Sequence, residues 1–252
     1  MKIKGVFFDL YGTLLIYDNI SVAWKDWLSA FYEYLTESGL SMSKESFALS
    51  CDGFFGKPEP PSQDDGLTVL ERRIRALCVD LRLDLRSSEI QDTATAVVKA
   101  WQRHISLDQD SLPILQVLKP KKILALISNF DHPPHIYSLL TELGLAKFFD
   151  TVVISGDIGI KKPDPHIFSL VLQQTGLRPN EVVYVGDTLE DVQGARDAGL
   201  FPIFIKRNSP NKNRVILDFR SNQQSSESES EILHIIDGIK TISKLSELIE
   251  MF

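Results

Sequence analysis

The chain has 252 residues, 43% of them apolar and 24% charged, with a net charge of -7 and a pI near 5.3. That composition suits one large globular domain, or a core with an insert, and carries no basic footprint for nucleic acid. Cys51 and Cys78 supply neither a disulfide framework nor a CxxC metal motif, and no apolar run approaches the ~20 residues needed to span a bilayer. Met1-Lys2-Ile3-Lys4 leads straight into an apolar run with no secretory leader, so the reading is a soluble, cytoplasmic protein with no membrane or nucleic-acid partner.

The run Ile3 to Phe8 predicts a buried strand that ends on Asp9, with Gly12 supplying a turn. From Asp18 to Ser38 the residues Val22, Trp24, Trp27, Leu28, Phe31, Tyr34 and Leu35 recur at helical spacing, which predicts a helix with an aromatic packing face. Ser43 to Phe55 predicts a second helix capped by Ser43, and Gly56 to Pro61 a rigid loop. Leu67 to Leu83 and Ser87 to Ile105 predict two more amphipathic helices, the latter with a Ser87-Ser88-Glu89 capping signal. No strand is expected between residues 17 and about 107. An all-helical block inside an α/β chain predicts an inserted helical domain.

Past residue 112 the pattern alternates. Strands are expected at Lys122–Ser128, Thr151–Ile154, Glu181–Val185 and Phe201–Ile205, and helices at Pro134–Leu143, Pro165–Gln174 and Thr188–Ala198. Residues 222–231, rich in Ser and Glu, read as a surface loop. A last short strand is expected at Ile232–Ile236 and a terminal helix at Ile242–Met251. The fold class is α/β, a doubly wound parallel sheet interrupted by a helical insert.

Polar residues stand at the ends of these strands in a meaningful order: Asp9, then Ser128-Asn129, then Lys162 ahead of a helix, then Gly186-Asp187-Thr188-Leu189-Glu190-Asp191. In an open parallel sheet they converge on one edge, where ligands bind. Each has an ordinary explanation alone, as a turn residue, a loop lysine or a helix cap. Together they form a chemical set. Asp9 serves as nucleophile, giving an acyl-phosphate or ester intermediate. Ser128 and neighbouring amides hold a phosphoryl oxygen. Lys162 neutralises charge, and Asp187, alone or with Asp191, holds Mg²⁺ through hard carboxylate oxygens.

On these segments the chain resembles the haloacid dehalogenase-like hydrolase superfamily. The resemblance runs through Phe8-Asp9-Leu10-Tyr11-Gly12-Thr13-Leu14, Ile127-Ser128-Asn129, Lys162-Pro163-Asp164-Pro165-His166-Ile167-Phe168 and Val185 to Ala195. It implies a Rossmann-like core (residues 1–16 and 108–252) and a helical cap domain (17–107). It also implies an aspartyl nucleophile and, in phosphatase members, Mg²⁺ held by Asp9, the Tyr11 carbonyl and Asp187, with Asp191 behind them. Thr13, Ser128, Asn129 and Lys162 fall at positions that bind substrate.

One position departs from the phosphatase pattern. Most phosphatase members carry a second Asp two residues after the nucleophile as general acid–base, where this chain has Tyr11. Asp-Leu-Tyr-Gly-Thr looks like the L-2-haloacid dehalogenase branch, in which no metal is required. Asp187 and Asp191 point the other way, since that branch has Ser-Ser-Asn in its last motif, and no arginine precedes Arg72 to build its halide site. The reading favours a Mg²⁺-dependent phosphatase acting on a small phosphate ester. A 2-haloacid dehalogenase is the first alternative and a catalytically weakened binding protein the second. Asp131, His132 and His135 are candidates for the missing acid.

Overall fold

The apolar run at the head of the chain forms β1, Gly5–Phe8, with all four residues buried. A computed structural model describes residues 2–61, 66–207 and 236–252. Beyond β1 lie β2 (Leu15–Tyr17), the helices α1 (Ile20–Glu37), α2 (Lys44–Ser50), α3 (Val69–Asp80) and α4 (Ser87–Gln102), and β3 (Ile105–Leu107). Helices and strands then alternate: α5 (Ser111–Leu118), β4 (Ile123–Ser128), α6 (Pro133–Glu142), β5 (Thr151–Ile154), the single turn α7 (Ser155–Ile158), α8 (Pro165–Thr175), β6 (Val182–Gly186), α9 (Leu189–Asp197) and β7 (Phe201–Ile205). β8 (Lys240–Ile242) and a 3-10 helix (Leu245–Met251) follow.

Residues 2–16, 106–207 and 236–252 make one compact unit, and residues 17–61 and 66–105 a second. In the first unit the sheet runs β5-β4-β1-β6-β7-β8, with every neighbouring pair parallel. This is the doubly wound α/β class that the strand–helix alternation predicts. Its strands are near-continuous apolar runs because helices cover both faces. From β1 the chain builds outward through β4 to β5, then returns to the other side of β1 for β6, β7 and β8. Such a reversal of strand order leaves a crevice beyond the carboxyl ends of the strands, and β1 ends there in Asp9. One face of the sheet packs Phe7, Ile127 and Tyr184 against Phe168 and Val171 of α8 and Ala195 of α9.

The second unit is held by aromatic packing. α1 begins with Asn19 accepting from the Val22 amide and buries Ala23, Trp27, Phe31 and Leu35 along one face. Trp27 meets Phe31 edge-on with ring centroids 5.2 Å apart, and Phe31 meets Phe47 at 5.2 Å. The aromatic stripe is therefore a packing face, as its spacing predicts. Thr68 and Glu71 exchange hydrogen bonds with each other's amides to cap α3.

Several expectations need correction. Residues 17–107 are not free of strand, because β2 and β3 pair as a small two-stranded sheet; three-residue strands carry too few side chains to show a period. The helix expected over Ser43–Phe55 ends at Ser50, and turns follow through Gly53, whose φ of +64° ends helical geometry. The α4 cap falls on Arg86, whose amide donates to Glu89, one residue before the expected serine. The expected helix over Ile242–Met251 is the end of β8 plus a 3-10 helix. Buried Leu245 and Leu248 stand three apart, the repeat of that tighter helix. The Ser- and Glu-rich stretch 222–231 lies outside the described residues, as does the strand expected at Ile232–Ile236 except for Ile236.

Candidate active site

Side chains on one face of a strand alternate with those on the other, so Phe7 and Asp9 share a face of the β1 path. Phe7 pairs in register with Tyr184 of β6, and the Asp9 amide donates to the Val185 carbonyl at 2.9 Å. Asp9 is therefore fixed beside β6 and is only 6% exposed.

Lys162 reaches Asp9 from the loop ahead of α8. Its ammonium donates to Asp9 Oδ1 at 2.6 Å, to Asp191 Oδ1 at 2.7 Å and to the Ile127 carbonyl at 3.2 Å, with the Tyr184 hydroxyl 3.0 Å away. Asn129 holds the lysine's backbone on both sides. Its Oδ1 accepts from the Lys162 amide at 2.9 Å, and its Nδ2 donates to the Lys162 carbonyl at 3.0 Å. Gly194 of α9 packs against the same loop, since a Cβ there would lie 2.8 Å from the Pro163 carbonyl oxygen.

Asp191 uses both of its oxygens. Oδ1 accepts from Lys162 and from Tyr184, and Oδ2 accepts from the Asp187 and Thr188 amides and the Thr188 hydroxyl. It thus caps α9 and anchors the lysine together. Asp187 packs against Gly12, where φ is +89° and a Cβ would lie 2.2 Å from Asp187 Oδ2. Only glycine meets both demands. One carboxylate oxygen from each of Asp9, Asp187 and Asp191 lies within 4.8 Å of the others.

The electrostatics follow. Burial raises the Asp9 carboxyl to about 7, against the pull of Lys162 and with the repulsion of Asp191 and Asp187 adding to it. Burial also works against Asp191, but Lys162 and the Thr188 hydrogen bonds hold its carboxyl below the ordinary value. Lys162 is desolvated, yet Asp191 and Asp9 keep it charged and raise its pKa. Asp9 and Asp191 share the Lys162 ammonium and Asp187 adds a third carboxylate to the cluster, which concentrates negative charge in a largely buried site. The donor set is all hard oxygen. Both features fit a Mg²⁺ ion.

Ser128 is buried at the end of β4, two residues past Leu126, the register partner of Phe8. Thr13 is fully buried, and its hydroxyl has no hydrogen-bond partner among the described residues. Tyr11 is half-buried and stacks on Phe130 at 5.4 Å, which stacks on His135 at 5.8 Å. His132 is buried. Burial, then repulsion from His132, lowers the His135 imidazole to about 4, so it is neutral near pH 7.

Two residues escape sequence reasoning. Tyr184 sits in an apolar strand, where an aromatic reads as core. Its ring does pack edge-on against Phe168 at 4.9 Å, but its hydroxyl reaches Lys162 and Asp191. Arg207 follows β7 and donates to the Gly12 and Thr13 carbonyls and to Asp108. Neither has a local motif that marks it.

The chain belongs to the haloacid dehalogenase-like hydrolase family, whose profile matches residues 3–199. It is 33% identical over 211 residues to the phosphoglycolate phosphatase of Pectobacterium atrosepticum, covering 78% of this chain and 77% of that protein. A stronger but shorter likeness, 46% over 69 residues, relates it to the glyceraldehyde 3-phosphate phosphatase of Methanopyrus kandleri and covers 27% of this chain and 30% of that one. The chain thus spans less than a third of the latter relative's length. Its fold is similar to that of a putative beta-phosphoglucomutase from Thermotoga maritima, with a TM-score of 0.62, 18% identity, and coverage of 99% of this chain and 100% of that one. Among the described residues, no helix is long and apolar enough to cross a membrane.

Proposed function

We propose that this chain is a Mg²⁺-dependent phosphatase that passes the phosphoryl group of a small phosphorylated metabolite through Asp9. The observation that carries the reading is the cluster of Asp9, Asp187 and Asp191, with the Lys162 ammonium bonded to Asp9 and Asp191. A halide displacement at carbon needs one carboxylate and gains nothing from two more. Phosphoryl transfer calls for concentrated positive charge, and a carboxylate-rich site recruits it. The phosphatase names of relatives support a phosphate ester as substrate class.

In this reading Asp9, Asp187 and the Tyr11 carbonyl hold Mg²⁺, which when bound neutralises phosphate charge. An Asp9 oxygen attacks phosphorus, the bond from phosphorus to the leaving oxygen breaks, an acyl phosphate forms on Asp9, and the leaving alkoxide takes its proton from solvent water. A second water then attacks phosphorus, the bond from phosphorus to the Asp9 oxygen breaks, and inorganic phosphate and a proton depart as the carboxylate is restored. Lys162 stays protonated throughout and balances charge on Asp9 and the phosphoryl oxygens. Ser128 and Asn129 border the phosphoryl site, Asn129 by holding Lys162 in place. Tyr11, stacked on Phe130, forms a wall; a phenol of pKa about 10 is a poor base at neutral pH. His135, being neutral near pH 7, is not the missing general acid. Residues 17–107 act as the cap domain that selects the substrate.

A paired assay tests the reading. With Mg²⁺, phosphate is released from a panel of phosphate esters; with chelator, or in Asp9→Asn, release falls to background. Halide release from 2-haloacids without metal, and no phosphate release, makes the chain a dehalogenase. Metal binding without turnover on either panel makes it a binding protein.

A further inference from the structure

The loop after Asp9 offers three successive carbonyls, those of Gly12, Thr13 and Leu14, to groups from distant parts of the chain. Arg207 donates from Nη2 to the Thr13 oxygen at 2.6 Å, from Nε to the Gly12 oxygen at 3.4 Å and from Nη1 to Asp108 Oδ2. The Leu14 oxygen accepts from the Asp108 amide at 3.0 Å and from Ser111 Oγ at 2.8 Å. The Arg207 and Asp108 side chains are 14% and 7% exposed. Inside the loop, the Leu14 and Leu15 amides both donate to the Leu10 carbonyl at 2.9 Å, and the Gly12 amide to Leu15 at 2.7 Å. Arg207 thus closes a hydrogen-bonded turn from outside. A planar guanidinium with fixed N–H directions serves three acceptors at once, and a lysine ammonium does not span them. Gly12 also abuts Asp187, with no room for a Cβ between them. The residue clamped by Arg207 therefore touches the acid cluster.

We propose that Arg207 is a positioning residue for the reaction at Asp9. With Asp108 it fixes the backbone of residues 12–14, and through Gly12 it sets the placement of Asp187 relative to Asp9. Arg207 makes no contact with Asp9 and acts only through this backbone. The proposal rests on the phosphatase reading above.

Arg207→Met and Arg207→Lys in the full chain test it. In metal-free protein, amide exchange across residues 10–15 is expected to quicken about tenfold in both variants, with α8 unchanged. Mn²⁺ alone, titrated calorimetrically, is expected to bind about tenfold more weakly. With Mg²⁺ and p-nitrophenyl phosphate, kcat is expected to fall about tenfold while KM moves less than about twofold. Equal acceleration of exchange in α8 and the loop makes Arg207 a general stabiliser and overturns the proposal, as does unchanged Mn²⁺ affinity. Should Arg207→Met not fold, Arg207→Lys carries the same comparison. A wild-type chain that neither binds Mn²⁺ nor releases phosphate refutes the phosphatase reading instead, and the exchange comparison still decides whether Arg207 holds the loop.

Discussion

Lys162 separates two buried carboxylates that would otherwise repel each other, so its removal acts on stability and chemistry together. Lys162→Met leaves Asp9 and Asp191 facing each other without their cation. Breaking a buried pair by deleting one partner costs about 3–5 kcal/mol. The variant is therefore expected to unfold at markedly lower urea and to release no phosphate, which denaturation and the ester assay check together. Asp9, Lys162 and Asp187 stand out in the sequence because each is a charged residue at a predicted strand end or helix start, and their order carries the signal. Tyr184 and Arg207 do not stand out. The destination of the Tyr184 hydroxyl depends on the pairing of β6 with β1, and that of Arg207 on β7 lying one strand further out. Both are facts of register, which no local window contains.

At the scale of elements, β1 and β6 are joined at their bases as well as at the site. Glu181, which closes the 3-10 turn leading into β6, pairs with Lys4 at 2.8 Å and with Arg178 at 2.8 Å, and its carbonyl accepts from the Lys4 amide. Hydrogen bonds from Arg178 and Lys4 lower its carboxyl to about 2. A folded-state pKa below the unfolded one stabilises the fold at high pH. The contribution is complete above about pH 4.5 and is lost as the pH falls toward 2. Lys4 and Arg178 are well exposed, so solvent screens the effect. Glu181→Gln is expected to unfold at lower urea than the wild type at pH 7, with the difference shrinking by pH 3.5. A gap that stays constant with pH assigns Glu181 a packing role instead. The long apolar strands β4 and β6 were legible because burial on both faces leaves an uninterrupted run. β2, β3 and β8 were not, since each is three residues long and exists only through its partner.

At the scale of the molecule, the sheet order is what turns scattered strand ends into one site. β1 lies between β4 and β6, so the residues after all three strands meet beyond the same edge, and the loop ahead of α8 delivers Lys162 to them. Strand–helix alternation makes this parallel arrangement readable, and the acids supply the chemistry that is proposed. The tyrosine at position 11 leaves two reactions open, and the surplus of carboxylates around Asp9 is the observation on which phosphoryl transfer is proposed. The direct measurement is to quench the enzyme with acid during turnover of a phosphate ester with Mg²⁺ and map the label by peptide mass spectrometry. A phosphoryl group is expected on the peptide containing Asp9, absent when magnesium is chelated and absent from Asp9→Asn. Phosphate release with no label on Asp9, or release undiminished in Asp9→Asn, contradicts it.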